Sequence, residues 1–473
     1  MIFLAIASVL LAPVAAAAAP PASNTEVLYR EYCASCHGAR RYGGYGPPLI
    51  PETLERKSDE ALTRAILDGL PNTQMKAFGA KLTPEQARAL VAQFREPIAA
   101  ITWSLQDIAA SREELPATKA AFPNDLRREN LTLVVERGTG SVSVLDGDSL
   151  TELDRYPVGR IHGGLKFDRA FRKVFAATRD GTVVAYDLVR GAIRTKVKAG
   201  VNTRNIAVSP TGDFVAAANL LPPGLIVFDG ELRPLAAVDL GGQPSAVYYV
   251  PGESRFLAAT RDAPLLTVVE LPGLATRTVR VPEPFEDFVF VPKRSQLVAS
   301  SRGGSQLLLY DYAAERVIAT LPTQGLPHLF SACFFSHNGS LHAAFNHMGS
   351  PRLSIVAMDP FRVEKEIPLR GPGFFARTHP GTPYIWVDTN TEAIQLVDKK
   401  SLALMKQELT PEPGKTAMHV EFTADGKRAF VSVWDDAGAV VVYDSVTLEE
   451  TARRPYAMPV GKYNAGNKTR LLY

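Results

Sequence analysis

A strand-and-turn pattern that returns eight times after residue 131 constrains the fold more than any other feature of the sequence. Each copy is a short run rich in Val, Leu and Ile that ends in Asp or Glu. The 343 residues from 131 to 473 divide into about 43 per copy, the length of one four-stranded propeller blade. The copies are Val142–Asp146, Val183–Asp187, Leu225–Asp229, Leu266–Glu270, Leu307–Asp311, Leu353–Asp359, Ile394–Asp398 and Val440–Asp444.

Eight near-equal periods predict an all-β, eight-bladed propeller over residues 131–473. A β-sandwich is the alternative for many short strands, but it does not generate equal periods. Turn signals at Ser209–Asp213 and Thr423–Lys427 come just before strands and support the same register. The first copy starts part-way through a blade, so we expect the C-terminal stretch ending in Leu471–Tyr473 to complete that blade and close the ring.

The residues before the repeats have helical patterns. Helical patterns cover Glu26–Tyr32 and Asp59–Leu67. A third helix begins at Thr83–Gln86, with a capping Thr and a Pro at the first helical position. A small all-α domain is therefore predicted at residues 25–97.

Residues 98–130 are rich in Pro and charge, which predicts a linker between the two domains. Trp103 lies in this linker, and so large an aromatic side chain indicates that part of it packs as an arm on another element.

Residues 1–19 are almost entirely apolar and end in an alanine run, which predicts a secretory signal peptide and a periplasmic protein. The usual Lys or Arg before the apolar core is missing, so a start codon placed too late and an uncleaved anchor are the alternatives. No later stretch is apolar and long enough to span a bilayer. The net charge of +3 comes without a long basic run, and nothing here indicates a nucleic-acid partner.

Two of the three cysteines lie in one Cys-x-x-Cys-His motif, formed by Cys33, Cys36 and His37. This spacing is typical of covalent haem c attachment, with both thiols bonded to the haem and His37 as an iron ligand. A zinc site is the alternative, but it needs further Cys or His ligands and none occurs before His162. The third cysteine, Cys333, is flanked by aromatics and is predicted to be a buried strand residue.

Met75 is the one candidate in this domain for the sixth ligand of the haem c iron. A methionine that fills the domain core is the alternative. A Met/His ligand pair raises the haem potential, which suits a relay of single electrons.

A c-type domain followed by an eight-copy propeller resembles the haem d1 family over nearly the whole chain. The family includes cytochrome cd1 nitrite reductase and the dehydrogenase that completes the cofactor from dihydro-haem d1. The stretches that carry the resemblance are Ile161–Phe167, Asn346–Ser350, Gly373–Pro380, Lys415–Phe422 and Gly461–Asn464.

The resemblance implies a second, non-covalent tetrapyrrole, haem d1 or dihydro-haem d1, as cofactor or substrate. His162 matches the family's proximal ligand of the d1 iron. Haem d1 carries carboxylates, and the planar guanidinium group of arginine binds a carboxylate through two parallel hydrogen bonds. Arginines are therefore expected to face the central channel of the propeller. Arg179, Arg204 and Arg302 fit by position, and an ordinary exposed arginine is the alternative for each.

The resemblance leaves three functions open. His347 and His379 match the two histidines that protonate nitrite in the reductase, which would release nitric oxide. His419 and Tyr463 lie in motifs that resemble the dehydrogenase, which converts a propionate of dihydro-haem d1 to an acrylate, and this reading is favoured. His419 is then the predicted base, because its ordinary pKa is near neutrality, and Tyr463 assists.

The third possibility is a non-catalytic carrier that holds haem d1 for delivery, and it needs the iron ligand and the arginines but not His419. Because haem c takes one electron at a time, a small soluble electron-transfer protein is an expected partner. Proteins of the haem d1 pathway and nitrite reductase are the other expected partners.

Overall fold

A computed structural model describes residues 24–43, 46–54, 57–70, 75–117, 119, 121–301 and 305–470. The predicted signal peptide and Arg302 lie outside these residues. Within the described ranges, every helix is too short or too polar to cross a membrane.

The N-terminal unit is all-α, as predicted. Its apolar faces, with Leu90 and Phe94 fully buried, pack into one core that also contains Cys33. Thr83 and Gln86 form a capping box, in which the Thr83 amide donates to Gln86 Oε1 at 2.9 Å and the Gln86 amide to Thr83 Oγ1 at 3.3 Å. The helices are α1 (Asn24–Tyr32), α2 (Ala34–His37), α3 (Pro51–Leu54), α4 (Asp59–Leu67) and α5 (Pro84–Arg95).

The predicted linker is more ordered than its composition indicates. It contains α6 (Leu105–Ala110) and strand β1 (Glu113–Glu114), and β1 pairs with a propeller strand, Glu113 lying opposite Lys196. Trp103 Nε1 donates to the Lys198 carbonyl at 2.8 Å. The arm is therefore an additional edge strand of one blade, and Trp103 packs as expected.

Eight antiparallel sheets follow, which confirms the eight-bladed propeller. A 3-10 helix, Arg128–Asn130, leads into them. The first four blades contain β2 (Leu131–Glu136), β3 (Ser141–Asp146), β4 (Glu152–Pro157), β5 (Ile161–Phe167), β6 (Lys173–Thr178), β7 (Thr182–Asp187), β8 (Ala192–Lys198), β9 (Asn202–Val208), β10 (Phe214–Leu221), β11 (Pro223–Asp229), β12 (Pro234–Val238), β13 (Pro244–Tyr249), β14 (Arg255–Thr260), β15 (Leu265–Glu270) and β16 (Thr276–Arg280).

The remaining blades continue the same order, with a 3-10 helix at Leu329–Ser331. They contain β17 (Asp287–Phe290), β18 (Gln296–Ser300), β19 (Gln306–Asp311), β20 (Arg316–Pro322), β21 (Leu326–Pro327), β22 (Cys333–His337), β23 (Ser340–Met348), β24 (Ser350–Met358), β25 (Phe361–Pro368), β26 (Ala376–Arg377), β27 (Tyr384–Asp388), β28 (Ile394–Asp398), β29 (Thr416–Phe422), β30 (Arg428–Trp434), β31 (Gly438–Asp444), β32 (Glu450–Tyr456), β33 (Pro459–Asn464) and the helix α7 (Ala465–Arg470).

Ring closure joins the two ends of the propeller. Strand β33 pairs with β2, Thr132 lying opposite Asn464, so the first blade has the order β33-β2-β3-β4. A C-terminal stretch thus completes this blade as expected, although residues 471–473 lie outside the described residues. The seventh blade has only β26, β27 and β28, and two isolated bridges, from Ile394 to Leu409 and from Val397 to Leu404, take the place of its fourth strand.

The repeated sequence pattern corresponds to the third strand of every blade. In five blades its terminal Asp accepts a hydrogen bond from the amide two residues on, as Asp187 Oδ1 does from Val189 at 2.8 Å and Asp444 Oδ1 from Val446 at 2.9 Å. Such Asx turns start the hairpin to the fourth strand, which explains why Asp recurs at this position. Cys333 begins β22 and is buried in a blade core, as predicted.

The first strands of the blades line the central channel. Because each blade is a meander, the starts of its first strand and the ends of its second strand meet at one end of the propeller, which we call the upper face. The turns between first and second strands lie at the opposite end, the lower face. Several first strands have register shifts, among them β5 between Ile161 and Leu165 and β29 between Met418 and Val420. These bulges re-aim the side chains of His162 and His419.

Candidate functional site

The Cys-x-x-Cys-His motif forms a site that fits haem c. Cys33 and Cys36 are both free thiols, and His37 is buried. His37 Nδ1 donates to the Pro47 carbonyl at 2.7 Å, which leaves the lone pair of Nε2 for a metal. A Cβ atom at Gly46 would overlap the His37 ring, so only glycine lets the loop pass beside the imidazole.

Met75 is half-buried and packs against the helical core that contains Cys33. Its carbonyl accepts a hydrogen bond from the Leu70 amide at 3.0 Å. Its role as the sixth haem c ligand stays a prediction.

His162 lies at the start of β5, on the upper face. Gly163 and Gly164 follow with φ of +79° and +78°, which produces the bulge. The His162 ring is hydrogen-bonded through Nδ1 to the Arg204 carbonyl, and Nε2 lies 3.2 Å from Nη1 of the same arginine. Burial, then the charges of Arg179 and Arg204, lower the pKa of His162 well below its ordinary value. The ring is therefore a neutral imidazole, the form that ligates iron.

Arginines surround His162. Burial, together with repulsion from four neighbouring guanidinium groups, lowers the pKa of Arg179 to about 9. A cluster of this kind fits the carboxylates of a tetrapyrrole. The four neighbours are Arg137, Arg160, Arg204 and Arg261.

Sequence reasoning named Arg179 and Arg204 but missed Arg137, Arg160 and Arg261. A signal for Arg261 was present, because Arg261 and Arg179 lie in the same Thr-Arg-Asp tripeptide, whose Thr ends the second strand of a blade. Arg160 also lies near enough to His37 for its charge to lower the pKa of that buried imidazole further. The haem c motif and the arginine cluster are thus neighbours.

His419 lies in the β29 bulge and is 2% exposed. Its φ is +49°, a left-handed conformation that is strained in any residue other than glycine. Three hydrogen bonds hold it there. The His419 amide donates to Asp388 Oδ2 at 3.0 Å, its carbonyl accepts from Lys462 Nζ, and its Nδ1 accepts from the Lys462 amide at 3.3 Å.

The His419 ring is electrically neutral. Burial lowers its pKa well below the ordinary value, and the charges of Lys462, Arg377 and Lys468 lower it further. Because Nδ1 accepts from the Lys462 amide, the ring proton lies on Nε2. Moving this proton to Nδ1 frees Nε2 to act as a base, but it leaves the buried Lys462 amide without this acceptor, which costs about 1–3 kcal/mol.

Tyr463, on β33, lies beside His419, with 5.6 Å between the ring centroids. A Cβ atom at Gly164 would lie 2.8 Å from Cε1 of Tyr463, so the phenol packs directly on β5, two residues after His162. Burial raises the pKa of Tyr463 to about 12 and keeps the hydroxyl protonated at neutral pH. The structure thus brings His419 and Tyr463 together, next to the strand of His162.

His347 and His379 do not join this group. His347 is fully buried, and both ring nitrogens are engaged within its blade, Nδ1 with the Gln324 carbonyl at 3.0 Å and Nε2 with Ser354 Oγ at 2.7 Å. His379 lies in the turn between β26 and β27, on the lower face, where its Nδ1 accepts from the Gly381 amide at 3.0 Å.

Sequence models of two families match the chain. The one described as "Cytochrome D1 heme domain" matches residues 126–468, and "Cytochrome C oxidase, cbb3-type, subunit III" matches residues 20–92. The two matched segments contain the propeller and most of the helical unit.

Two curated proteins are similar over most of their length. The dihydro-heme d1 dehydrogenase of Pseudomonas aeruginosa is 40% identical over 467 residues, covering 94% of each chain. The nitrite reductase of Stutzerimonas stutzeri is 23% identical over 540 aligned positions, covering 97% of this chain and 96% of its own. Among solved structures, "Dihydro-heme d1 dehydrogenase NirN in complex with DHE" has a TM-score of 0.82 and 38% identity, covering 94% of this chain and 100% of its own.

Proposed function

The chain belongs to the cytochrome d1 haem domain family, and from that premise we propose that it oxidises dihydro-haem d1, converting one propionate side chain to an acrylate in the synthesis of haem d1. The close pairing of His419 and Tyr463 next to the His162 strand carries this proposal. A tetrapyrrole ligated by His162 would present its edge to these two side chains.

The reaction removes two protons and two electrons from a saturated CH₂–CH₂ unit. His419, neutral and buried, is the base: with its own proton moved to Nδ1 it takes one proton at Nε2, and after passing that proton on it can take the second. Tyr463 keeps its own proton at neutral pH and therefore acts as a hydrogen-bond donor that orients the substrate. The arginine cluster holds the other carboxylates of the substrate.

Haem c, bound at Cys33 and Cys36 with His37 as an iron ligand, supplies one-electron transfer. Arg160, close to both His37 and Arg179, supports a short path between the two sites. Two electrons exceed the capacity of one haem c, so the chain passes electrons to an acceptor, for which a small soluble electron-transfer protein in the periplasm is suited. Proteins that make or use haem d1 are the other partners.

Nitrite reduction is the second candidate, because a nitrite reductase is among the relatives. That reaction needs two histidines converging over the substrate. His347, hydrogen-bonded at both nitrogens, and His379, on the lower face, do not converge in this way. Their separation supports the dehydrogenase over the reductase.

The test uses two mixtures. In the first, the purified protein is incubated with dihydro-haem d1 and an oxidised electron acceptor. In the second, it is incubated with haem d1, nitrite and a reduced electron donor. We expect the first mixture to develop the haem d1 absorption spectrum and the second to remain inactive. Appreciable turnover of nitrite, with d1 retained through purification, would overturn the proposal. Tight binding of dihydro-haem d1 without oxidation would favour the carrier function instead.

His162→Ala is expected to abolish the absorption features of imidazole-ligated d1 iron, since no other neutral imidazole of the described residues occupies that strand. The measurement is a spectral titration of protein made without the d1 pathway. His337→Ala is the matched control, because that ring contacts the Lys399 carbonyl, away from the upper face. An unaltered ligation spectrum in His162→Ala would show that the proximal assignment is wrong.

A further inference from the structure

Three cations from three separate elements converge in the channel beyond Tyr463. Lys468, from α7, lies 5.3 Å from the Tyr463 ring and pairs with Glu421 Oε2 at 2.9 Å. Lys166, from β5, lies over two aromatic rings. Arg377, at the end of β26, is near enough to lower the pKa values of both lysines.

The positive charge of this group is only partly balanced. Glu421 is 3% exposed, and its one ion pair among the described residues is with Lys468. Among the described residues, Lys166 lies over the rings of Phe330 at 5.4 Å and Tyr248 at 6.0 Å and forms no ion pair with a carboxylate. The Nε of Arg377 is buried and has no hydrogen-bond partner in the described part of the chain.

Asp287, which lies beside the aromatic partner Tyr248, is engaged in other hydrogen bonds. Asp287 accepts a hydrogen bond from the Tyr248 hydroxyl at 3.3 Å and others from the amides of Phe330 and Phe288. Burial lowers the pKa values of Lys166 and Lys468 to about 8, and repulsion among the three cations contributes. Partly buried, mutually repelling cations with one acid require an anion to offset the cost of their desolvation.

We propose that Lys166, Arg377 and Lys468 form a carboxylate subsite that holds the carboxylate of the side chain being dehydrogenated. This rests on the proposed function. The reacting carbons lie at His419 and Tyr463, and the carboxylate extends past them to Lys468, whose Nζ lies over the ring of the same phenol. The arginine cluster around His162 then holds the remaining carboxylates.

The subsite has a chemical consequence. When His419 removes a proton from the carbon next to the carboxylate, negative charge develops on the carboxylate oxygens. Fixed cations there stabilise that charge more than they stabilise the ground state. The group therefore also determines which side chain of the macrocycle reacts, because only a side chain that reaches it lies between His419 and Tyr463.

The test compares Lys166→Met with Lys400→Met, an exposed lysine in a turn. Methionine suits the aromatic partners of Lys166, so the fold is retained, and the haem c spectrum and circular dichroism verify this. The probes are dihydro-haem d1 and its methyl ester, titrated by absorbance. Loss of one charge-assisted contact is expected to weaken binding of the acid by roughly tenfold to a hundredfold in Lys166→Met and to leave the ester unaffected.

Equal affinity of Lys166→Met and wild type for the acid would overturn the subsite. Competition by free propionate without any effect of the variant on tetrapyrrole binding would overturn it too, since the cations would then hold a small free anion. The titration needs no turnover, so it separates the two proposals. If binding of dihydro-haem d1 depends on Lys166 but the bound compound is not oxidised, the subsite is retained and the dehydrogenase function is overturned.

Discussion

Replacing His419 by glutamine is expected to slow the oxidation of dihydro-haem d1 by a factor of about 10² to 10⁴, the usual contribution of a positioned base. Glutamine keeps a polar side chain of similar reach but cannot take up a proton at neutral pH. The measurement is the single-turnover rate of the pre-formed complex, with His337→Gln as the control. A rate within a few-fold of wild type would remove His419 from the chemistry.

The pH dependence of the same reaction gives a second readout. Burial and the charges of Lys462, Arg377 and Lys468 lower the pKa of His419. The imidazole thus stays neutral, and competent as a base, well below pH 6.5, and the acid limb of the rate is expected well below that pH. An acid limb centred at pH 6.5 would contradict the assignment of this buried ring as the base.

Replacing Asp388 by alanine is expected to have the largest effect on stability. Asp388 is fully buried and accepts from the amides of Phe374 at 2.6 Å, Phe375 at 3.0 Å and His419 at 3.0 Å. Each orphaned buried amide costs about 1–3 kcal/mol, so the free energy of unfolding should fall by several kcal/mol. Denaturant unfolding of the propeller measures the loss.

Asp388→Asn separates stability from catalysis. The retained amide oxygen can still accept from Phe374 and Phe375, whereas the new NH₂ group faces the His419 amide and cannot accept from it. We expect a milder loss of stability and a clear loss of oxidation rate, because the left-handed conformation of His419 loses one of its three restraints. A wild-type rate in this variant would show that Asp388 does not position the base.

The fold was predictable because its signals are local. In most blades the Asp that ends the third strand forms an Asx turn with the residue two positions on, so Asp recurs at regular intervals in the sequence. The haem c motif is equally local. The arm strand β1 was not predictable, because it depends on pairing between Glu113 and Lys196, far apart in the chain.

The candidate site was only partly predictable for the same reason. His419 and Tyr463 were found by resemblance, but Asp388 and Lys462 hold His419 from 31 and 43 residues away, and no sequence spacing marks such contacts. In the stretch from Gly373 to Pro380, closeness in sequence does not predict closeness to the site. Strand β26 has only two residues. Phe375 lies beside His419, whereas His379, four positions later, already lies on the lower face.

The strand that closes the ring also carries Lys462 and Tyr463. Strand β33 follows every other strand in the chain, yet it pairs with β2, the first blade strand in the sequence. The pocket that positions His419 therefore forms only once the circle is joined, and an open, partly folded propeller would hold neither the phenol nor the restraint on the imidazole. The propeller therefore acquires its positioned base only when its folding is complete.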